Sequence, residues 1–236
     1  MAGAPRGDGE LSARLRGIAR ALDRRFGRPG SCGHEIAPVP NLVLTILSQN
    51  TTDANRDRAF ADLLARFPTL PRLAAAGAAE VEEAIRTGGL AKAKAASILS
   101  ALRRLKEERG DYTLDFLRSM TLADARSYLT SFHGVGVKTA NILLLFCFGF
   151  PAFPVDTHIL RVTKRLGLVP PPATLAKAAL SLEPRIPPGE HMPLHLNLIR
   201  LGREVCRPRN PLCPSCPLLS LCPEGLRRTG GKAGPL

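Results

Sequence analysis

The sequence predicts an all-α protein, and three observations lead to that prediction. The 236 residues are 44% hydrophobic but only 5% aromatic, without Trp, a composition that suits packed helices better than a sheet. Apolar residues recur at helical spacing in one segment after another, and no convincing strand alternation is present. The length allows one sizeable hydrophobic core or two small ones.

The individual helices follow from apolar periodicity, caps and breakers. Pro40 opens the second helix, whose body is apolar on all sides and therefore belongs in a core. Thr121 is a predicted N-cap, with Asp124 in the favourable first turn behind it. In the third helix we expect four side chains to face inward: Phe60, Leu63, Leu64 and Phe67. The predicted helices span residues 11–26, 40–47, 53–67, 80–86, 92–105, 114–120, 122–132, 137–148, 156–166, 174–182 and 191–202.

The charge balance and the absence of long apolar runs narrow the class of protein. A net charge of +13 favours a polyanionic partner, because neutralising phosphates releases counterions; a general arginine bias would give the same excess. The longest apolar run, 142–148, is far shorter than the ~20 residues of a membrane span. The first nine residues lack the apolar centre of a secretory signal. We therefore expect a cytoplasmic protein without a membrane partner.

Residues 132–140, Phe-His-Gly-Val-Gly-Val-Lys-Thr-Ala, join two predicted helices through a turn with glycines two apart. Glycine permits positive φ and a close approach of the backbone to another molecule. The unpartnered amides and the dipole at the start of the second helix favour an anion such as a DNA phosphate. This helix–hairpin–helix pattern makes Gly134, Val135, Gly136 and Thr139 candidate DNA contacts. The alternative is an ordinary turn with a glycine cap.

Lys138 and Asp156 are the candidate reactive pair. The helix dipole and an expected partial burial both disfavour the ammonium form of Lys138, which would leave an amine suited to Schiff-base chemistry. A phosphate-binding or solvated lysine is the alternative. Asp156 suits an N-cap, and a carboxylate there could also stabilise positive charge on a sugar or transfer a proton. His158 is expected to be structural.

Four cysteines form a compact cluster near the C-terminus. Cys206, Cys213, Cys216 and Cys222 have the spacing C-x6-C-x2-C-x5-C within 17 residues. In a reducing compartment such a group suggests a metal before disulfides. Four thiolates suit either zinc or a [4Fe–4S] cluster, and general spacing rules do not choose between them.

Two arginines and two further cysteines lie outside this ligand set. Arg207 and Arg209, between the first two clustered cysteines, are candidate phosphate contacts, and a solvated charged loop is the alternative. Cys32 and Cys147 stand apart, and we expect ordinary buried or idle thiols.

Taken together, these motifs resemble the endonuclease III family of the helix–hairpin–helix, Gly/Pro-Asp DNA glycosylase superfamily. The resemblance covers about residues 11–222. It rests on the joint order of Leu-Ser-Gln-Asn-Thr-Thr-Asp at 47–53, Gly-Leu at 89–90 with Lys-Ala at 94–95, the hairpin, Val-Asp-Thr-His at 155–158, and the four-cysteine loop.

The resemblance implies two helical domains with the active site in the cleft between them. One is a six-helix barrel over residues 40–150 that carries the helix–hairpin–helix at about 122–148. The other is an iron–sulfur domain made from residues 1–39 and 151–225. A flexible tail over 226–236 is expected to follow.

The resemblance also implies a bifunctional DNA glycosylase and abasic-site lyase of base excision repair. Lys138 and Asp156 would be catalytic, and the four clustered cysteines would hold a [4Fe–4S] cluster with a chiefly structural and DNA-binding role. An oxidised pyrimidine of the thymine glycol type would be flipped out of damaged double-stranded DNA. Lys138 would displace it, and β-elimination would cut the strand 3′ to the lesion. A monomer is implied.

Two predicted DNA contacts come from the resemblance alone, and one of them departs from the family pattern. Leu90 falls where the family carries an apolar residue that intercalates between base steps; the alternative is a leucine folded into the core. Asn50 falls where well-known members carry a glutamine that fills the gap left by the flipped base. Phe132 and His133 replace a common Leu-Pro pair in the hairpin.

Three other functions compete with this interpretation. A monofunctional glycosylase of the same superfamily usually lacks the Schiff-base lysine, which is present here as Lys138. A DNA-binding paralogue with weak or lost catalysis would keep the hairpin and the cysteines. A redox protein built around the cluster would have no need of a basic hairpin.

Overall fold

A computed structural model describes residues 8–30 and 37–231. Within these ranges the chain contains helices, turns and irregular segments but no strand, so the all-α prediction is confirmed. None of the helices in the described ranges combines the length and apolar content needed to cross a membrane. The chain divides into two compact units, Met1–Gly33 with Pro151–Leu236, and His34–Phe150.

The described ranges contain twelve α-helices. Their bounds are α1 Asp8–Phe26, α2 Pro38–Leu47, α3 Asp53–Arg66, α4 Leu70–Ala75, α5 Ala78–Ala84, α6 Ala91–Arg109, α7 Leu122–Thr130, α8 Val137–Phe148, α9 Thr157–Arg165, α10 Leu175–Leu182, α11 His191–Glu204 and α12 Pro223–Arg228. Short 3-10 turns lie at Arg86–Gly88, Asp115–Ser119, Glu183–Arg185, Cys213–Ser215 and Leu219–Leu221.

Side-chain caps fix the start of several helices. The side chains of Thr52, Thr69, Thr121, Asp156 and Thr174 each accept a hydrogen bond from an amide in the first turn of the helix that follows. Such caps satisfy amides that have no partner within the helix. The predicted cap at Thr121 and the capping role of Asp156 are confirmed.

The core of the His34–Phe150 unit forms around α2 and α8, which pack against each other. Leu42, Ile46, Leu143 and Leu144 are each at most 1% exposed, and full burial of such a side chain stabilises the fold by roughly 1.5–3 kcal/mol. Because α8 begins directly after the glycine turn, this core anchors the second helix of the hairpin.

In the other unit, α1 and α9 both pack against α11. Ile18, Leu22, Ile159 and Leu198 lie in its hydrophobic core and are each at most 1% exposed. The first turn of α9 is therefore fixed by Ile159, three residues after Asp156.

The predicted helices differ from the structure at three points. The helix expected over 114–120 is the 3-10 turn Asp115–Ser119. Leu64 is 45% exposed, because the inward face of α3 follows Ala59 and Leu63 and the next residue turns away from it. The short helix α4 was not predicted, since it comprises only Leu70–Ala75 and has Pro71 near its start.

The predicted tail over 226–236 is also wrong in part. Helix α12 reaches Arg228, and Glu224 stabilises it through ion pairs with Arg227 at 2.9 Å and Arg228 at 2.6 Å. These pairs have the i,i+3 and i,i+4 spacing that favours a helix. Residues 232–236 of the predicted tail lie outside the described residues.

Candidate active site

The two hairpin glycines have different structural roles. Gly134 has φ +77°, and a Cβ atom at this position would collide with the side chain of Ser97 on α6. Gly136, the N-cap of α8, has φ −91° and open space where a Cβ would stand. The fold therefore requires glycine at 134 but not at 136, where the small residue instead leaves the backbone accessible from outside.

The amino end of α8 offers backbone amides to an anion. No side chain in the described part of the chain caps this helix end, and the first amides of any helix have no partner within it. The side chains of Val135 and Thr139 are only 5% and 4% exposed. Among the four predicted hairpin contacts, these two can therefore meet a ligand through their backbone rather than through their side chains.

Lys138 lies in the first turn of α8 and is exposed. The expected partial burial of this residue is wrong, because its side chain extends away from the hydrophobic face that packs on α2. Its amine is therefore accessible to a molecule bound at the amino end of α8.

Gln49 links the loop after α2 to the hairpin. Its Nε2 donates to the carbonyl oxygen of Gly134 at 3.0 Å and to Oγ1 of Thr139 at 3.3 Å. No role for Gln49 was predicted from the sequence. The available signal was its place in the segment 47–53, one of the motifs on which the family resemblance rests.

Asn50 and Leu90 both adopt the left-handed backbone conformation, with φ +50° and +53°. This conformation is uncommon for residues other than glycine. Asparagine tolerates it, whereas it is strained for leucine, and such strained residues often lie at functional sites. Asn50 is exposed, and Leu90 is 59% exposed. The alternative in which Leu90 folds into the core is wrong.

In the other unit, Asp156 is half-buried and caps α9, where its Oδ1 accepts a hydrogen bond from the amide of Ile159 at 2.7 Å. Two buried side chains fix the segment before it. Glu183 accepts from the amide of Phe153 at 2.9 Å, and Nδ1 of His195 lies 2.9 Å from the carbonyl oxygen of Pro154. Neither positioning residue was predicted from the sequence, because both lie far from Asp156 along the chain.

His158 follows Asp156 on the first turn of α9 and has a structural contact. Its Nδ1 lies 3.2 Å from Nη2 of Arg161. The same guanidinium donates to the carbonyl oxygens of Cys206 at 2.9 Å and Gly202 at 2.8 Å. This placement agrees with the structural role expected for His158.

The four clustered cysteines line one cavity. Burial, the largest cause, raises the pKa of Cys216 to about 11 and also raises the pKa of Cys222, and the neighbouring thiols act in the same direction. No three Cys, His, Asp or Glu side chains in the described ranges form a group able to hold a single metal ion. The four thiols therefore line one cavity without the close grouping that a single metal ion would need.

Arg165 holds the loop that carries the first of these cysteines. Its Nη1 donates to Sγ of Cys206 at 3.3 Å and to the carbonyl oxygen of Arg207 at 2.8 Å, and its Nη2 donates to that of Pro208 at 3.0 Å. Arg207 and Arg209 themselves are exposed, as a phosphate contact requires.

Two cysteines, Cys32 and Cys147, lie outside the cluster. Cys147, near the end of α8, is half-buried, and burial raises its pKa to about 11. It is a poorly reactive thiol. Cys32 lies outside the described residues.

Comparison with known proteins places the chain in a family. Residues 43–188 match the model for the HhH-GPD superfamily of base excision DNA repair proteins. Endonuclease III of Thermotoga maritima is 34% identical over 213 residues, which cover 90% of this chain and 93% of that protein. A candidate DNA glycosylase of Arabidopsis thaliana is 40% identical over 172 residues, or 73% of this chain, but the match spans only 58% of the plant protein.

Solved structures agree with this assignment. The structure of a trapped covalent intermediate between an endonuclease III and DNA is 31% identical, covers 92% of this chain and 98% of that chain, and superposes with a TM-score of 0.78. The chain therefore belongs to the endonuclease III family of the HhH-GPD superfamily, and it is a DNA glycosylase of base excision repair.

Proposed function

We propose that the chain is a bifunctional enzyme that removes oxidised pyrimidines of the thymine glycol type and then cuts the strand 3′ to the lesion. The observation that carries the proposal is the exposed amine of Lys138 at the uncapped start of α8, beside amides suited to a DNA phosphate. The covalent complex of an endonuclease III with DNA supports a covalent route.

In the proposed reaction, the Lys138 amine attacks C1′ of the flipped nucleotide. The bond from C1′ to the base breaks, and the base leaves with the electron pair and gains a proton. The nitrogen then loses a proton and the C1′–O4′ bond opens, with O4′ taking the electron pair and a proton. The Schiff base formed in this way makes a C2′ proton acidic. Loss of this proton breaks the bond between C3′ and its phosphate oxygen, and water finally releases the enzyme.

Asp156 is proposed to act on the same sugar. A carboxylate near C1′ stabilises the positive charge that develops as the base leaves and can take part in proton transfer. Oδ1 of Asp156 already accepts the Ile159 amide, which fixes the direction of the carboxylate. Capping and catalysis would therefore use one side chain.

The four clustered cysteines are proposed to hold a [4Fe–4S] cluster. They fit this group because four thiols line one cavity and each iron atom of the cluster takes one thiolate. Cys206 follows α11 and Cys222 caps α12, so the bound cluster would supply a structural tie between these helices. It would also stiffen the loop with Arg207 and Arg209.

The proposed partner is damaged double-stranded DNA. The hairpin amides would bind a phosphate, Leu90 and Asn50 would enter the base stack, and the arginine loop would contact the backbone. The proposal includes the barrel domain over 40–150 and the cluster domain over 1–39 and 151–225. It also includes a monomeric state and a cytoplasmic location.

The test uses the purified, cluster-loaded protein and a duplex with a single thymine glycol. We expect release of the base, cutting 3′ to the lesion, and a covalent protein–DNA adduct when borohydride is present. Base release without cutting or adduct would favour a monofunctional glycosylase. Binding without base release, on this duplex and on one with an abasic site, would favour a DNA-binding paralogue.

The two hairpin glycines provide a matched pair of substitutions. Gly134→Ala is expected to lower the free energy of unfolding by about 1–3 kcal/mol, because alanine is strained at positive φ and collides with Ser97. Gly136→Ala should leave that free energy nearly unchanged, yet weaken binding to a duplex with a tetrahydrofuran abasic analogue about tenfold. Denaturant unfolding and fluorescence anisotropy measure the two effects. Unchanged affinity in Gly136→Ala would mean that the DNA backbone does not approach this glycine.

The cluster proposal predicts different outcomes for two cysteine substitutions. Cys216→Ser is expected to lose most of the bound iron and sulfide and to lower the thermal midpoint, because a metal centre bound only by the folded chain stabilises it. Cys147→Ser, outside the cavity, should retain both. Metal analysis and thermal unfolding followed by circular dichroism provide the readouts. Zinc instead of iron in the wild type would contradict the proposal.

A further inference from the structure

A buried lysine lies beneath the two left-handed loop tips. Lys94, on α6, is only 2% exposed, and its Nζ donates to the carbonyl oxygens of Leu47 and Gly88, both at 2.8 Å. Burial lowers the pKa of Lys94. Burying an ammonium group costs more free energy than burying an apolar side chain of similar size. The presence of a lysine here is therefore explained by what its two hydrogen bonds hold in place.

The two carbonyl groups belong to the segments that lead into the tips. Leu47 is the last residue of α2, three residues before Asn50. Gly88 ends the 3-10 turn two residues before Leu90. The backbone amide of Lys94 also donates to the carbonyl oxygen of Leu90 at 3.0 Å. One residue thus holds both segments, which are far apart in sequence.

The same face of α6 contacts the hairpin one turn later. Oγ of Ser97 lies 3.2 Å from Nδ1 of His133 and leaves room only for glycine at 134. On the other side, Gln49 joins the Asn50 loop to Gly134. Lys94 therefore joins the segments before the Asn50 and Leu90 tips directly, while Gln49 and Ser97 connect the same region to the hairpin.

We propose that Lys94 is a positioning residue that fixes the Asn50 and Leu90 tips relative to each other for entry into the DNA base stack. This inference rests on the proposed function, in which both tips contact the duplex. An ammonium group suits the task because its three donors can serve carbonyl groups from separate segments at once.

The physical consequence concerns base flipping rather than Schiff-base chemistry. Unstacking a base step costs free energy, and a tip that must first become ordered loses further free energy on binding. Fixed tips avoid that second cost. Loss of Lys94 should therefore slow reactions that need an extruded base and spare those that do not.

The experiment compares two substrates under single-turnover conditions. For Lys94→Met we expect base release from the thymine glycol duplex to slow about tenfold or more. Cutting of a single-stranded abasic oligonucleotide, which needs no flipping from a duplex, should stay within about twofold of wild type. Lys94→Arg, which retains charged donors, should recover part of the duplex activity.

Lys106→Met is the matched control. Lys106 lies on the same helix, is exposed and donates to the carbonyl oxygen of Gly110, so the variant loses the same charge and one surface hydrogen bond away from the tips. Its activity on both substrates should equal that of the wild type. If Lys94→Met folds poorly, Lys94→Gln, which keeps two donors, replaces it. Its rate on the duplex should also fall more than its rate on the single-stranded substrate, but by a smaller factor.

A variant that lacks both tip side chains separates positioning from general stability. In an Asn50→Ala/Leu90→Ala background, Lys94→Met should have little further effect on the duplex rate. An equal loss on both substrates, or a full additional loss in this background, would overturn the inference. Inactivity of the wild type on both substrates would instead contradict the proposed function.

Discussion

Replacing Lys138 with Gln is expected to lower the rate of base release by about 10³-fold or more and to remove the borohydride-trapped adduct. Glutamine retains most of the length of the side chain but has no nucleophilic amine. Because Lys138 is exposed at the start of α8, its loss should not disturb the hydrophobic core. The variant should therefore keep the wild-type thermal midpoint and most of its affinity for an abasic-analogue duplex.

The chain offers a closely matched control for this substitution. Lys92 is the second residue of α6, as Lys138 is of α8, and it is also exposed. Lys92→Gln removes the same charge from the same helical position, so any purely electrostatic effect on DNA binding should appear in both variants. The adduct should persist in Lys92→Gln. An adduct of equal yield in Lys138→Gln would identify another nucleophile.

The sequence predicted the fold class and most helices because those features depend on local patterns. Thr121 and Asp156 are short-range signals, since each caps the helix that begins at the next residue. The hairpin glycines are also a short-range signal, because the turn that they predict lies within the same few residues. The exposure of Leu64 on α3 was mispredicted, because an apolar residue at helical spacing does not indicate how wide the buried face of the helix is.

The polar network around the site could not be predicted from local patterns. Gln49 contacts Gly134, 85 residues away, and Lys94 contacts Leu47, 47 residues away. Glu183 reaches Phe153 across 30 residues. Each of these side chains looks like an ordinary surface residue in the sequence, and its role depends on which distant backbone group the fold brings near. The family resemblance marked Lys94 as part of a motif without giving a reason for it.

Asp156→Asn is the second substitution with a large expected effect, and it separates capping from catalysis. Asparagine caps a helix about as well as aspartate, so the hydrogen bond from the Ile159 amide should persist and the free energy of unfolding should change little. The carboxylate charge is lost, however. Base release should slow by about 10²–10⁴-fold, the range for loss of a positioned proton-transfer group.

Thr174→Ala is a control in the same unit that removes a helix cap without removing a proposed catalytic group. Thr174 caps α10 by accepting from the Lys177 amide at 3.3 Å, and its loss should cost about 1 kcal/mol of stability without slowing base release. Asp156→Ala should combine both effects. If Asp156→Asn released the base at the wild-type rate, Asp156 would be only a helix cap. The charge that stabilises the departing base would then have to come from another carboxylate or from the DNA phosphates themselves.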